Sequence, residues 1–200
     1  MKNKLLIILV IFSSCGGEDN YERDIRLNKE IATFNKNLTE KQKSFIHTFF
    51  NTKKVSSLKN FKGISGGFCC IFQGINTEVL NDDNIVKNDN IVYQQEENKS
   101  LKNEGYNITS NGDSLKFVLL RDLNRSVVGQ YTNKGKAFIF NTKIYALDLE
   151  KEEGFLLLDQ TGGAPPSTIE ARRYSGTGGH GSTMSTEEIL AVYKSYINKE

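Results

Sequence analysis

Residues 115–159 read LKFVLLRDLNRSVVGQYTNKGKAFIFNTKIYALDLEKEEGFLLLD, and the fold is decided there. Five strand-like runs stand out: LKFVLLRDL, SVVGQY, KAFIFNT, KIYALDLE and GFLLLD. They are rich in β-branched and aromatic residues. Turn signals punctuate them, notably Asn133-Lys134-Gly135 and Glu152-Glu153-Gly154. The separations are only a few residues long. A parallel crossover needs about a dozen residues, so the runs predict an antiparallel meander.

Upstream, GGFCCIFQG (66–74) is a short apolar run between glycines and reads as one more buried strand. Between it and the meander, residues 81–113 are polar. The echo of DNIV at 83–86 and 89–92 marks a local duplication within this excursion, which is expected to hold at most one or two weak strands. Nearer the N-terminus, Leu27, Ile31, Phe34 and Leu38 recur at spacings of four, three and four, the stripe of a helix. Thr39 and Gln42 have capping-box spacing, and Phe45, Ile46, Phe49 and Phe50 give the helix that follows an apolar face, with His47 beside it. At the other end Ser185 and Glu188 repeat the capping box. Ile189, Val192, Tyr193, Tyr196 and Ile197 supply the packing face of a closing helix.

The expected fold class is therefore α+β: an antiparallel sheet of about four to six strands, packed with an N-terminal helical pair and a C-terminal helix. One domain is expected over residues 21–200. It is helical over 21–54, mainly strands over 61–160, a glycine-rich loop region over 161–184, and helical over 185–198.

The chain opens MKNKLLIILVIFSSC. Lys2 and Lys4 form a positive start, and Leu5 to Phe12 is an unbroken apolar run of eight residues. That is the size of a signal-peptide core and far short of the roughly 20 apolar residues that span a bilayer. Phe12-Ser13-Ser14-Cys15 resembles the lipobox of bacterial lipoproteins, with Phe12 where leucine is usual. The resemblance covers only these first fifteen or so residues. It implies cleavage before Cys15, a diacylglycerol thioether on that cysteine, and acylation of the new amine. A single acyl chain holds a protein only marginally, whereas two or three together are effectively permanent. Residues 15–20 (Cys15, then Gly16, Gly17, Glu18, Asp19 and Asn20) read as a flexible tether.

Loss of residues 1–14 leaves 186 of the 200 residues, ample for one core. It also takes Lys2 and Lys4 away, so that 24 Lys+Arg face 24 Asp+Glu. A balanced chain lacks the basic footprint of a nucleic-acid binder.

Four groups of residues invite a chemical reading. Cys69 and Cys70 are adjacent, too close for a relaxed disulfide. In a strand they point to opposite faces and read as buried hydrophobes. Neither a CxxC pair nor another zinc spacing is present, and no metal or cofactor is expected. The stretch GISGG (63–67) fits G-x-S-x-G, with Ser65 at its centre. A hydrolase of that type needs a strand before the serine and a helix after it. Here a strand follows. Its triad would draw on Asp148 or Asp159 and on His180. The stretch GTGGHG (176–181) spells G-x-G-x-x-G, yet only 19 residues remain after it, too few for a dinucleotide fold. What survives is a glycine-rich loop leading toward a helix. Arg172, Arg173, Gly178, Gly179 and His180 are its candidate anion-binding residues. The acidic run NDDNIVKNDN (81–90) lacks the mid-loop glycine and closing glutamate of an EF-hand.

Together these point to a lipid-anchored protein of the bacterial envelope, more readily the outer membrane than the inner. It is expected to act without catalysis by binding another envelope protein or a small ligand, in an accessory, assembly, inhibitor or immunity role. The alternative is an envelope hydrolase of peptidoglycan, peptide or ester bonds, with Ser65 or Cys69/Cys70 as nucleophile and His180 as base.

Overall fold

The computed structural model describes residues 33–73, 92–168 and 178–198, with positions 35 and 133 excepted. Cys15, the leader, the tether, Leu27 and Ile31, and Arg172 and Arg173 lie outside the described residues.

Helix α1 spans Glu40–Thr52 and begins as its sequence dictates. The Gln42 N–H donates to Thr39 Oγ1 at 3.3 Å and the Thr39 N–H to Gln42 Oε1 at 2.9 Å, which satisfies two otherwise orphaned donors. The helix stops at Lys53, whose left-handed backbone (φ 47°) turns the chain out. Strand β1 (Gly67–Gln73) pairs antiparallel with the short β2 (Val92–Tyr93). Helix α2 (Gln95–Asn103) follows, then three long strands: β3 (Leu115–Gln130), β4 (Lys136–Asp148) and β5 (Glu153–Thr161). A two-residue β6 (Gly179–His180) and helix α3 (Thr186–Tyr196), with its Ser185/Glu188 capping box, complete the order.

The architecture is α+β. The sheet runs β2-β1-β3-β4-β5, with β6 alongside the start of β4. The antiparallel meander is present in β3-β4-β5. The five runs read from the sequence are three strands, because LKFVLLRDL continues into SVVGQY and KAFIFNT into KIYALDLE. The polar interruptions Asn124-Arg125 and Asn141-Thr142-Lys143 contain no glycine or proline. They mark where the strands pass beyond the helices, not where they stop. The sheet is also mixed: β1 is parallel to β3, from Gly67 opposite Leu115 to Gln73 opposite Asp122, and β6 is parallel to β4. The 41 residues between Gln73 and Leu115 are ample for the crossover that a parallel pair needs.

Strand alternation divides the core into two. Val118, Leu120, Tyr145 and Leu147 face α1 and join Phe34, Leu38, Ile46 and Phe49. Phe117, Leu119, Ile144 and Ala146 face the other way and join Leu101 of α2 and Ile189 and Tyr193 of α3. Cys69 belongs to the first cluster and Cys70 to the second; both are free thiols.

Helix α2 lies inside the excursion that the sequence presents as polar. It docks through amides. Asn98 Oδ1 accepts from the Cys70 N–H at 2.8 Å, and its Nδ2 donates to the carbonyls of Cys70 (2.9 Å) and Gln94 (2.6 Å). The Asn98 side chain thus stands in for a strand beside β1. Gln94 Oε1 accepts from the Tyr193 hydroxyl at 3.1 Å, and Gln94 Nε2 donates to Glu97 at 3.2 Å, which ties α3 to the same network.

Candidate functional site

The structure does not bring the sequence-derived catalytic candidates together. Ser65 is exposed in a turn where Gly63 and Gly66 take φ values of 88° and 83°. That turn docks the C-terminus: the Ile64 N–H donates to the Tyr196 carbonyl and the Asn198 N–H to that of Ile64. Strand β1, not a helix, follows it. Gly67 is registered on Leu115, whereas His180 is registered on Phe138 and through it on Val127. Twelve residues of β3 separate those two positions, roughly 40 Å of extended chain. His180 is therefore no base for Ser65, nor for the cysteines, which lie opposite Val118 and Leu119. Both thiols are wholly buried, and burial pushes them well above the usual thiol range, the opposite of an activated nucleophile. Asp148 is a turn carboxylate. It accepts from the Glu150 and Lys151 N–H groups (3.1 and 3.0 Å) and pairs with the Lys151 ammonium at 3.0 Å. Asp159 pairs with Lys143 at 3.2 Å.

The glycine-rich region differs from the expected anion loop. Gly179 and His180 form β6 on the edge of β4. Gly162 and Gly181 donate their N–H groups to Phe140 and Phe138 at 2.8 and 2.9 Å. The glycines are there for close approach, since a β-carbon would collide with a backbone carbonyl at Gly162 (Ser182), at Gly178 (Lys136) and at Gly181 (Gly163). Nor is the first turn of α3 free to receive an anion by way of its cap: the Ser185 N–H is held by Glu188 at 2.7 Å, and the Glu188 N–H by Ser185 at 3.2 Å.

His180 is instead part of a stack. Its ring lies 5.2 Å from that of Phe138 at 12° and 5.7 Å from that of Phe140 at 18°. On the β3 side the Arg125 guanidinium covers Phe138, 4.6 Å from the ring centroid. Arg125, Phe138 and His180 thus form a row across three strands, a cation–π contact followed by offset aromatic contacts. The row holds β6 on β4. The Tyr131 hydroxyl secures the same loop from the hairpin turn, donating to the Pro166 carbonyl at 2.6 Å.

This stack occupies the distal half of the β3–β4 hairpin. Residues of both core clusters reach only as far as Leu120 on β3 and Ile144 on β4. Beyond them the strands carry no helix among the described residues. Val127 and Val128 are 54% and 55% exposed there. The sequence offers one usable signal for this surface, the alternation that sets Phe138 and Phe140 on the face that also carries Arg125.

Two other features are structural in character. Lys53 sits with its ammonium 3.3 Å from the buried carboxylate of Asp122 and 5.0 to 5.9 Å from the rings of Phe50, Tyr145 and Phe49. Burial lowers its pKa, against the opposing pull of Asp122. Burial, helped by Asp122 and Asp159, pushes the Tyr145 phenol up to about 12. The ensemble fastens the end of α1 to the sheet. A cleft of about 240 Å³ lies between Gly66, Phe68, Tyr106, Asn107 and Ile197, with Glu104 in its wall held by Lys194 at 2.7 Å. It is smaller than the several hundred Å³ usual for ligand pockets.

Among the described residues, no group of three or more His, Cys, Asp or Glu side chains is placed to hold a metal. No described helix is long and apolar enough to cross a membrane. Comparison with protein families, with curated proteins and with solved structures gives no match.

Proposed function

We propose that the chain is a lipid-anchored protein of the bacterial envelope that works by holding a protein partner, in an accessory, assembly, inhibitor or immunity role. The attachment rests on the lipobox-like Phe12-Ser13-Ser14-Cys15. The binding role rests on the distal half of the β3–β4 hairpin. It is a stiffened platform, clamped by Arg125, Phe138 and His180, that carries exposed valines beyond the core. Exposed apolar residues on a rigid element, rimmed by polar ones, are the usual mark of an interaction surface.

Two measurements test the two halves. Cys15→Ala is expected to shift the protein from the detergent phase to the aqueous phase and to leave the leader uncleaved. Unchanged partition would remove the anchor. For the binding role, Arg125→Glu is expected to abolish co-purification of an envelope protein from gently solubilised membranes while the melting temperature holds within a few degrees. Equal recovery by wild type and variant would sink the platform.

A further inference from the structure

We infer that the partner held by the distal β3–β4 hairpin presents carboxylates: the face carrying Arg125, Lys136, Phe138 and His180 is a docking surface for an acidic patch of another protein. The inference rests on the binding role proposed above and adds the chemistry of the partner.

Register puts these side chains on one face. Lys136, Phe138 and Phe140 alternate along β4 and so point the same way. Arg125 is registered on Phe140, Val127 on Phe138, and His180 on Phe138 from the other side. Lys136, His180 and Val127 are exposed, and Phe138 is half-buried. Charge is sorted along the hairpin. Residues 123–142 hold Arg125, Lys134 and Lys136 and no Asp or Glu, and the adjoining stretches 160–168 and 178–184 hold no acid either. The other end of the meander, Asp148 to Glu153, is acidic, but its carboxylates are neutralised locally: Asp148 by Lys151 at 3.0 Å, Glu150 by Lys116 at 3.4 Å and Glu152 by Lys41 at 3.1 Å. On the opposite face of the sheet Lys53 pairs with Asp122 and Lys143 with Asp159. Among the described residues no carboxylate pairs with Arg125, Lys134 or Lys136 in this way.

The stack decides what kind of group can approach. Arg125 and His180 reach Phe138 from opposite sides of β4, the guanidinium 4.6 Å and the imidazole 5.2 Å from the ring centroid. Both faces of the ring, its electron-rich parts, are thereby taken, and the edge is left for a partner. Ring edges carry the positive end of the quadrupole. The surface therefore offers a guanidinium, an ammonium and positive ring edges, with Val127 beside them for apolar contact. It is complementary to an anion. A nucleic-acid base or a sugar ring stacks on an open aromatic face, and Phe138 has none. An anionic bilayer calls for clusters of about four to eight Lys/Arg; this face has Arg125 and Lys136, with Lys134 in the turn. An arginine packed on an aromatic ring is the usual composition of a protein–protein hot spot. The guanidinium fork pairs with a carboxylate through two parallel hydrogen bonds.

Two cross-linkers, applied to the full chain in the cells that make it, separate this inference from the binding role itself. Benzoylphenylalanine in place of Val127 joins any protein seated on the face. A water-soluble carbodiimide joins only a carboxylate to an amine. The Lys136 amine is therefore expected to form an isopeptide with an Asp or Glu of the same protein, identified by mass spectrometry. Arg125→Gln and, separately, Lys136→Glu are each expected to lower the photo-product at least roughly tenfold. Lys136 is exposed, so its variant leaves the stack intact. A photo-product without an isopeptide at Lys136, or one unchanged by Lys136→Glu, overturns the acidic partner and leaves the binding role standing. No photo-product, or one unchanged by Arg125→Gln, removes both. Arg125-dependent flotation of Cys15→Ser protein with phosphatidylglycerol vesicles, in the absence of a photo-product, assigns the face to an anionic membrane and overturns the inference.

Discussion

Asn98 offers the sharpest test of how α2 is held. Its amide makes three buried hydrogen bonds, one accepted from the Cys70 N–H and two donated to the carbonyls of Cys70 and Gln94. The two carbonyls have second partners, since the Gln94 N–H also reaches Cys70 and the Asn98 N–H also reaches Gln94. The Cys70 N–H points to the same side as its carbonyl, away from β3, and its partner there is Asn98 Oδ1. Asn98→Ala therefore orphans one buried donor, which costs about 1–3 kcal/mol, and removes two further bonds worth about 0.5–1.5 kcal/mol each. A total of about 3 kcal/mol corresponds to a fall of roughly 6–12 °C in melting temperature for a domain of this size. Asn98→Asp keeps the acceptor and the shape but turns the donor into a second oxygen facing two carbonyls, beside the buried Glu97. At neutral pH it is expected to cost at least as much as the alanine, because an uncompensated buried charge costs about 3–5 kcal/mol. The new carboxyl has a raised pKa in the folded state, so the folded protein holds its proton more tightly than the unfolded chain. The stability deficit must therefore shrink as pH falls from 7 toward the ordinary carboxyl range, where a neutral acid again donates. Urea unfolding followed by circular dichroism at both pH values measures this. A loss under about 0.5 kcal/mol for alanine, or an aspartate variant whose deficit is independent of pH, would refute the amide as a surrogate strand.

Alkali should destabilise the fold. Cys69, Cys70, Tyr145 and Tyr193 all have folded pKa values raised, first of all by burial, so their contribution is complete below about pH 9 and is lost as pH rises. Each titrating group removes about 1.4 kcal/mol per pH unit, and replacing both cysteines with alanine should flatten the urea midpoint between pH 9 and 10. Gly154→Ala drives a β-carbon into the edge of the Phe49 ring, closer than van der Waals contact allows, and should cost about 1–3 kcal/mol by overpacking; an unchanged urea midpoint would contradict the seating of α1. His180→Ala should cost only about 1 kcal/mol, but it should speed amide exchange at Gly162 and Gly181, and unaltered exchange there would mean that the stack does not clamp the loop.

The features that the sequence carries openly are the local ones. Both capping boxes form because Thr39 with Gln42 and Ser185 with Glu188 need only a three-residue spacing and the start of an apolar stripe. The division of Cys69 and Cys70 between two cores follows from the two-residue period of a strand. Helix α2 was hidden because the face it packs is polar. In QEENKSLKN only Leu101 gives an apolar signal, and the work falls to amides whose partners, Cys70 and Tyr193, lie far away in the chain. The parallel pairing of β1 with β3 was hidden for the same reason, since nothing in GFCCIFQ records its neighbour.

The two glycine motifs mislead for a physical cause. Glycine spacing in G-x-S-x-G and G-x-G-x-x-G reports that a backbone turns sharply or passes close to another, and ligand phosphates and nucleophile elbows are only two of the reasons a chain does so. Here Gly63 and Gly66 turn the chain to receive the C-terminus, and Gly162, Gly178 and Gly181 let one backbone lie against another. His180 then acquires its neighbours from register, because pairing Gly179 with Ala137 puts the imidazole beside Phe138. A lone histidine in such a loop is thereby placed by the strand next to it, and its chemistry is read from Phe138, Phe140 and Arg125 and not from the glycines around it.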